Sequence, residues 1–163
     1  LWNYLEINSK EIDLDYIVKS SKDLKLKIVS QDPYEKSIRK KLNFGHTIGH
    51  AIESYLLDSN SPTLHGFAIA KGMIIESFIA KKENLLSEKY FHEIKTVLSN
   101  KFKPYLKFKI DSKSIIKLML SDKKNTQNTI NFSLPIKIGE VTINHELELK
   151  KVESYLLEFF QND

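Results

Sequence analysis

Apolar positions recur at helical spacing over most of the chain, and polar clusters divide them into segments. Leu14 to Ser30 reads as an amphipathic helix, and Asn43 to Leu57 as another, with Ile48, Ile52, Tyr55 and Leu56 on one stripe. The turn-forming run DSNSPT, residues 58 to 63, is expected to be a loop. Leu64 to Lys82 is the most apolar stretch and predicts the central helix. Ser87 and Asp111 are placed as N-caps of two further helices, about 88 to 100 and 112 to 122, separated by a connection from Lys101 to Ile110 that Pro104 breaks. From 130 to 143, INFSLPIKIGEVTI alternates and carries Pro135 and Gly139, which predicts a short hairpin. LELKKVESYLLEFF, 147 to 160, predicts a closing helix. With no internal repeat and no low-complexity linker, the pattern describes one domain, mainly α and multihelical, with a small β-hairpin.

Composition narrows the chemistry. At 163 residues and 41% hydrophobic, the chain has the apolar content to bury one core. It has no cysteine, so disulfides and thiolate sites are excluded, and any metal must be held by His, Asp or Glu. No apolar run reaches the roughly 18 to 20 residues that cross a bilayer, and LWNYLEINSKE lacks the pattern of a cleaved leader. A soluble, cytoplasmic protein with no membrane association is the expectation. The net charge of +4 is spread along the chain rather than gathered into a stripe, so no nucleic-acid partner is expected. Only one of the 25 basic residues is arginine, Arg39, three positions before Leu42. A planar, permanently charged group suits a carboxylate or phosphate, which makes Arg39 a candidate anion ligand.

The densest chemistry lies in LNFGHTIGHAIE, 42 to 53. His46 and His50, four residues apart, project from one helix face, where they can hold one ion or divide binding from proton transfer. Gly45 and Gly49 precede them at the same spacing, and two helix-weakening glycines imply that a backbone or a ligand passes close by. His65 follows the loop and opens the next helix, so two antiparallel helices can set it opposite His46. His92 and His145 have no such company and read as surface residues.

These residues form a long motif. D-P-x-E-x-x-x-R-x-x-L-N-F-G-H-T-x-G-H-A-x-E from Asp32 to Glu53, L-H-G-x-A-x-A-x-G-M from Leu64 to Met73, then S-D-K-K-N and L-P-x-x-I-G between Ser121 and Gly139 resemble the 3-dehydroquinate synthase family. The resemblance implies the multihelical C-terminal lobe of the dehydroquinate synthase-like fold, spanning residues 1 to 163. An NAD-binding N-terminal lobe would lie outside the chain, which carries no G-x-G-x-x-G. In the full-length enzyme it implies NAD and zinc or cobalt as cofactors, a sugar-acid phosphate as substrate and phosphate elimination as the reaction. A homodimer is the accompanying expectation.

Residue by residue, the resemblance makes His46 and His65 metal ligands, with a third ligand, a glutamate, upstream of Leu1. His50 becomes a substrate-contacting residue that handles protons, and Glu35 a site-lining acid able to orient Lys25 or a histidine. Lys25 and Arg39 match basic groups for the substrate carboxylate, Asn43 a substrate-contacting amide, and Lys124, preferred over Lys123, a phosphate ligand. The chain departs from the family at Phe67, where the third residue of H-G-E is usual. Related motifs keep three other readings in view: a sister sugar-phosphate cyclase, the lobe of an iron-type alcohol dehydrogenase, and a non-catalytic helical interaction domain.

Overall fold

The computed structural model describes residues 2–7, 13–102, 110–121 and 128–162. Among the described residues, seven α-helices and one hairpin run in the order α1 (Trp2–Ile7), α2 (Leu14–Gln31), α3 (His46–Asp58), α4 (His65–Lys82), α5 (Glu88–Phe102), α6 (Ser112–Ser121), β1 (Thr129–Lys137), β2 (Glu140–Glu148) and α7 (Leu149–Asn162). A 3-10 helix, Ile38–Asn43, leads into α3.

Helix α4 is the axis of the core. Apolar all round apart from Lys71, Glu76 and Ser77 between Ala68 and Ala80, it is buried along that stretch except at the half-buried Met73. It touches α3, α5, α7 and β1, and the core closes around it with Ile48 and Ile52 of α3, Phe91 and Ile94 of α5, Phe132 of β1 and Leu156 of α7. The crossing of α3 over α4 is set by glycine. A Cβ at Gly72 would collide with the carbonyl of Gly45 and stand 2.7 Å from the backbone nitrogen of Gly49, so the two backbones meet directly.

Both proposed caps are present: the Tyr90 N–H donates to Ser87 Oγ at 3.3 Å, and the Ser114 N–H to Asp111 Oδ2 at 2.9 Å. The largest differences from the expected boundaries fall at the start of α3 and at the junction of β2 with α7. Helix α3 starts at His46 rather than Asn43, because Gly45 takes φ +85°, a left-handed conformation that ends the 3-10 helix before the α-helix begins. The second strand runs to Glu148, so Leu147 and Glu148 are sheet residues, and α7 starts at Leu149. His145, expected at the surface, is only 27% exposed and points Nε2 at Glu83, 3.6 Å away. Placed on the extended strand, it faces the end of α4. His92 is exposed as expected, beside Glu88.

The hairpin pairs antiparallel through a turn at Ile138 and Gly139, whose φ is +81°. Its register slips between Phe132 and Leu134, where Ser133 alone opposes Ile143 and Asn144. Asn144 takes φ +56° there, as the extra residue of a bulge. Among the described residues, no helix is long and apolar enough to cross a membrane.

Candidate functional site

His46 opens α3, His50 lies one turn further on, and His65 opens α4. The short loop and the glycine crossing bring the three rings together. Their centroids stand 5.3 Å apart for His46 and His50, 5.7 Å for His46 and His65, and 5.6 Å for His50 and His65. One ring nitrogen from each lies within 4.8 Å of the others. Around a single ion with bonds of about 2.0–2.1 Å, ligand nitrogens stand roughly 3.3 Å apart, so side-chain rotation rather than backbone movement closes the remainder. The donor set therefore fits a divalent ion of the zinc or cobalt kind.

Two of the rings are oriented from behind. His46 Nδ1 is 3.3 Å from the Phe44 carbonyl, and His65 Nδ1 is 3.0 Å from Glu53 Oε2. Both oxygens only accept, so each contact is made with Nδ1 as the donor and fixes the ring from behind. Glu53 belongs to the motif but was not singled out. Its position, three residues after His50 on the same helix, is the signal that could have found it.

A second unpredicted group holds the start of α3. Gly45 offers no side chain to cap that helix. Glu76 of α4 supplies the cap from across the crossing, accepting the Gly45 N–H at 2.6 Å and the Ile48 N–H at 3.0 Å. Its side chain is fully buried. Burial pushes its carboxyl up to about 8, against the Ile48, Gly45 and Thr47 N–H groups that pull it down. An acid in the middle of the most apolar helix was the available signal.

Upstream, Asp32 pins the DPYEKSIR loop. Its carboxylate accepts the N–H groups of Lys36 at 2.9 Å, Ser37 at 2.7 Å and Arg39 at 3.1 Å. The Lys36 contact above all holds it below the usual carboxylate range. The loop presents Glu35 at φ +55°, where its Oε1 takes the Asn43 amide N–H at 2.7 Å. Arg39 turns Nη1 to the Pro33 carbonyl at 2.8 Å and sets Nε 3.8 Å from Glu35. Glu35 thus engages Asn43 and Arg39, where sequence had offered Lys25 or a histidine. A cavity of about 440 Å³ lies beside the cluster, lined by Glu35, Asn43, His46 and His50 on one side and by the hairpin on the other. Lys25, exposed on α2, and Arg39 are not among its lining residues, and Lys124 lies outside the described residues. Phe67 packs against Phe102 with centroids 6.1 Å apart, so its aromatic ring joins α4 to α5.

Fold and site together define a helical lobe whose histidine cluster, built on two crossing helices, can hold a divalent ion. Residues 1–125 match the family described as 3-dehydroquinate synthase C-terminal, and the chain belongs to that family. It is 38% identical over 161 residues to the 3-dehydroquinate synthase of Thermodesulfovibrio yellowstonii, covering 93% of this chain and 44% of that protein. With the enzyme of a Thermoanaerobacter species it shares 40% over 149 residues, covering 88% of the chain and 41% of the relative. The chain therefore spans less than half the length of these relatives. Among solved structures, 2-deoxy-scyllo-inosose synthase complexed with carbaglucose-6-phosphate, NAD+ and Co2+ superposes with a TM-score of 0.70 at 28% identity, over 82% of this chain and 38% of that one. 2-epi-5-epi-valiolone synthase from Streptomyces hygroscopicus subsp. jinggangensis, with NAD+ and Zn2+ bound, shares the fold with a TM-score of 0.68 at 22% identity, over 85% and 38%.

Proposed function

We propose that this chain is the metal- and substrate-binding lobe of a 3-dehydroquinate synthase. The complete enzyme converts 3-deoxy-D-arabino-heptulosonate 7-phosphate to 3-dehydroquinate and phosphate, a step of the shikimate route to aromatic amino acids. The observation that carries this reading is the convergence of His46, His50 and His65 within the segment matched to the family. His46 and His65 are read as the ligand pair, as the family resemblance implies, and each ring is held at Nδ1 from behind. Zinc or cobalt held there with an open position would supply Lewis acidity to a ligand oxygen. His50, lining the cavity, is left to contact the substrate and to hold or move a proton. Asn43, oriented by Glu35, offers the substrate its amide. Lys25 and Arg39 are assigned to the carboxylate and Lys124 to the phosphate, fixing one conformer of the substrate. NAD belongs mainly to the lobe outside this chain, and the full-length enzyme is read as a cytoplasmic homodimer.

The test uses the full-length polypeptide that contains this chain, assayed for phosphate release with NAD and metal present. His46→Ala and His65→Ala are expected to lose bound metal and activity together, whereas His50→Ala loses activity and keeps metal. Metal lost from His50→Ala alone would overturn the division of roles.

A further inference from the structure

The cavity beside the imidazoles has a second wall whose lining residues are not among the specified letters of the motifs. It is made by the hairpin and by Lys40, which follows Arg39 in the 3-10 helix. Among the described residues that line the cavity, Lys40 is the one carrying a lysine or arginine charge. Two hydrogen bonds fix it from the hairpin. Its carbonyl accepts Ser133 Oγ at 2.8 Å, and its Nζ donates to Asn144 Oδ1 at 2.9 Å. Both partners sit at the register slip, where Asn144 and Ile143 oppose Ser133 and Asn144 adopts φ +56°. A regular strand would alternate sides, whereas a bulge re-aims a side chain, and this one aims an amide oxygen at an ammonium. One of the three ammonium protons is thereby taken and two remain for a ligand, while the Asn144 amide keeps its own N–H donors.

We propose that Lys40, held by Asn144 across the hairpin bulge, is the oxyanion-binding cation of this cavity, taking the phosphate or carboxylate of the molecule bound over the imidazoles. The inference rests on the reading that this ligand is anionic, and it adds to Lys25 and Arg39, which do not line this cavity, a cation that does. A charge already oriented by a neutral amide loses less freedom on binding than an unrestrained surface lysine, and it keeps its full charge for the ligand.

The experiment titrates the isotopically labelled full-length polypeptide that contains this chain with inorganic phosphate in one arm and acetate in the other, following the His46, His50 and Asn144 signals by NMR. Lys40→Met is expected to weaken oxyanion binding at least about tenfold while Lys40→Arg retains most of it, the loss of one charge-assisted contact. Asn144→Gly, which suits the left-handed backbone, is expected to weaken binding about threefold by freeing the ammonium. Response to phosphate alone identifies the phosphate end of the ligand, and response to acetate alone the carboxylate end. Either supports the proposal if Lys40→Met abolishes it. Wild-type affinity in Lys40→Met, or no response of the wild-type chain to either anion, overturns it. A separate Co2+ titration of the full-length polypeptide, without phosphate, tests the imidazole site together with the ligand expected upstream of Leu1. Failure to take up Co2+ would sink the metal reading while leaving the Lys40 result standing.

Discussion

The α3/α4 crossing and helix α2 are both amphipathic helical regions with candidate site residues, yet one is locked and the other is open. At the crossing, backbone meets backbone, Glu76 caps the helix that begins with His46, and Glu53 orients His65. No residue of α2 is buried, and Leu14, Val18 and Leu26 are 70%, 65% and 55% exposed. The histidine cluster is thus held in place by contacts within the described residues. Lys25, on the open helix, has no such scaffold among the described residues.

The strongest way to break the locked region is Gly72→Ala, which forces a methyl group between two backbones. A loss on the order of 3 kcal/mol is expected in urea unfolding, as for severe overpacking. Gly66→Ala, with nothing within 4 Å of its added carbon, should be close to neutral in the same assay.

The next effect is a pH dependence. The Glu76 carboxyl titrates at about 8 in the folded chain, well above its ordinary value. The folded state therefore binds the proton more tightly than the unfolded state. Stability from this group is fully present below the ordinary glutamate range, declines as pH rises through about 8, and is lost above it. Unfolding midpoints measured from pH 5 to about 9 should fall on this account by a few kcal/mol of stability at most. Glu76→Gln, which cannot titrate, should flatten that slope. An unchanged slope in the variant would remove Glu76 as its source.

Smaller still is the contribution of the carboxylate behind His65. Glu53→Ala should weaken Co2+ binding about 10- to 100-fold with the fold intact, the usual range for a lost outer partner of a ligating histidine. Visible absorption of the cobalt complex reads this directly. Smallest is the open region, where Leu24→Ser and Leu26→Ser on the exposed face should change the stability of this chain by no more than about 0.5 kcal/mol. A much larger loss in the full-length polypeptide would show that the face is covered there, which would sharpen the contrast.

How much was legible follows the same division. The helices, both N-caps and the meeting of His46, His50 and His65 could be read because i, i+4 spacing and a short loop determine them locally. Gly45 and Gly49 were read as marking a close approach, and α4 is what approaches. The late start of α3 was missed because helical periodicity does not reveal that Gly45 turns left-handed. Glu76 escaped because its partners are backbone N–H groups 28 and 31 residues away, which no pattern displays. Lys40 read as one lysine among many until a bulge in a distant strand gave it a neighbour.

That bulge carries a kinetic consequence. The three histidines, their glycines, Glu53 and Glu76 all lie between residues 45 and 76, a stretch that can close on itself through a six-residue loop. The opposite wall of the cavity depends on partners 93 and 104 positions away, joining Lys40 to Ser133 and Asn144. Near contacts form sooner than distant ones, and a chain made from its N-terminus presents them first. The histidine cluster should therefore assemble before the wall that completes the cavity, leaving an interval in which the proposed ion site stands without the proposed anion site.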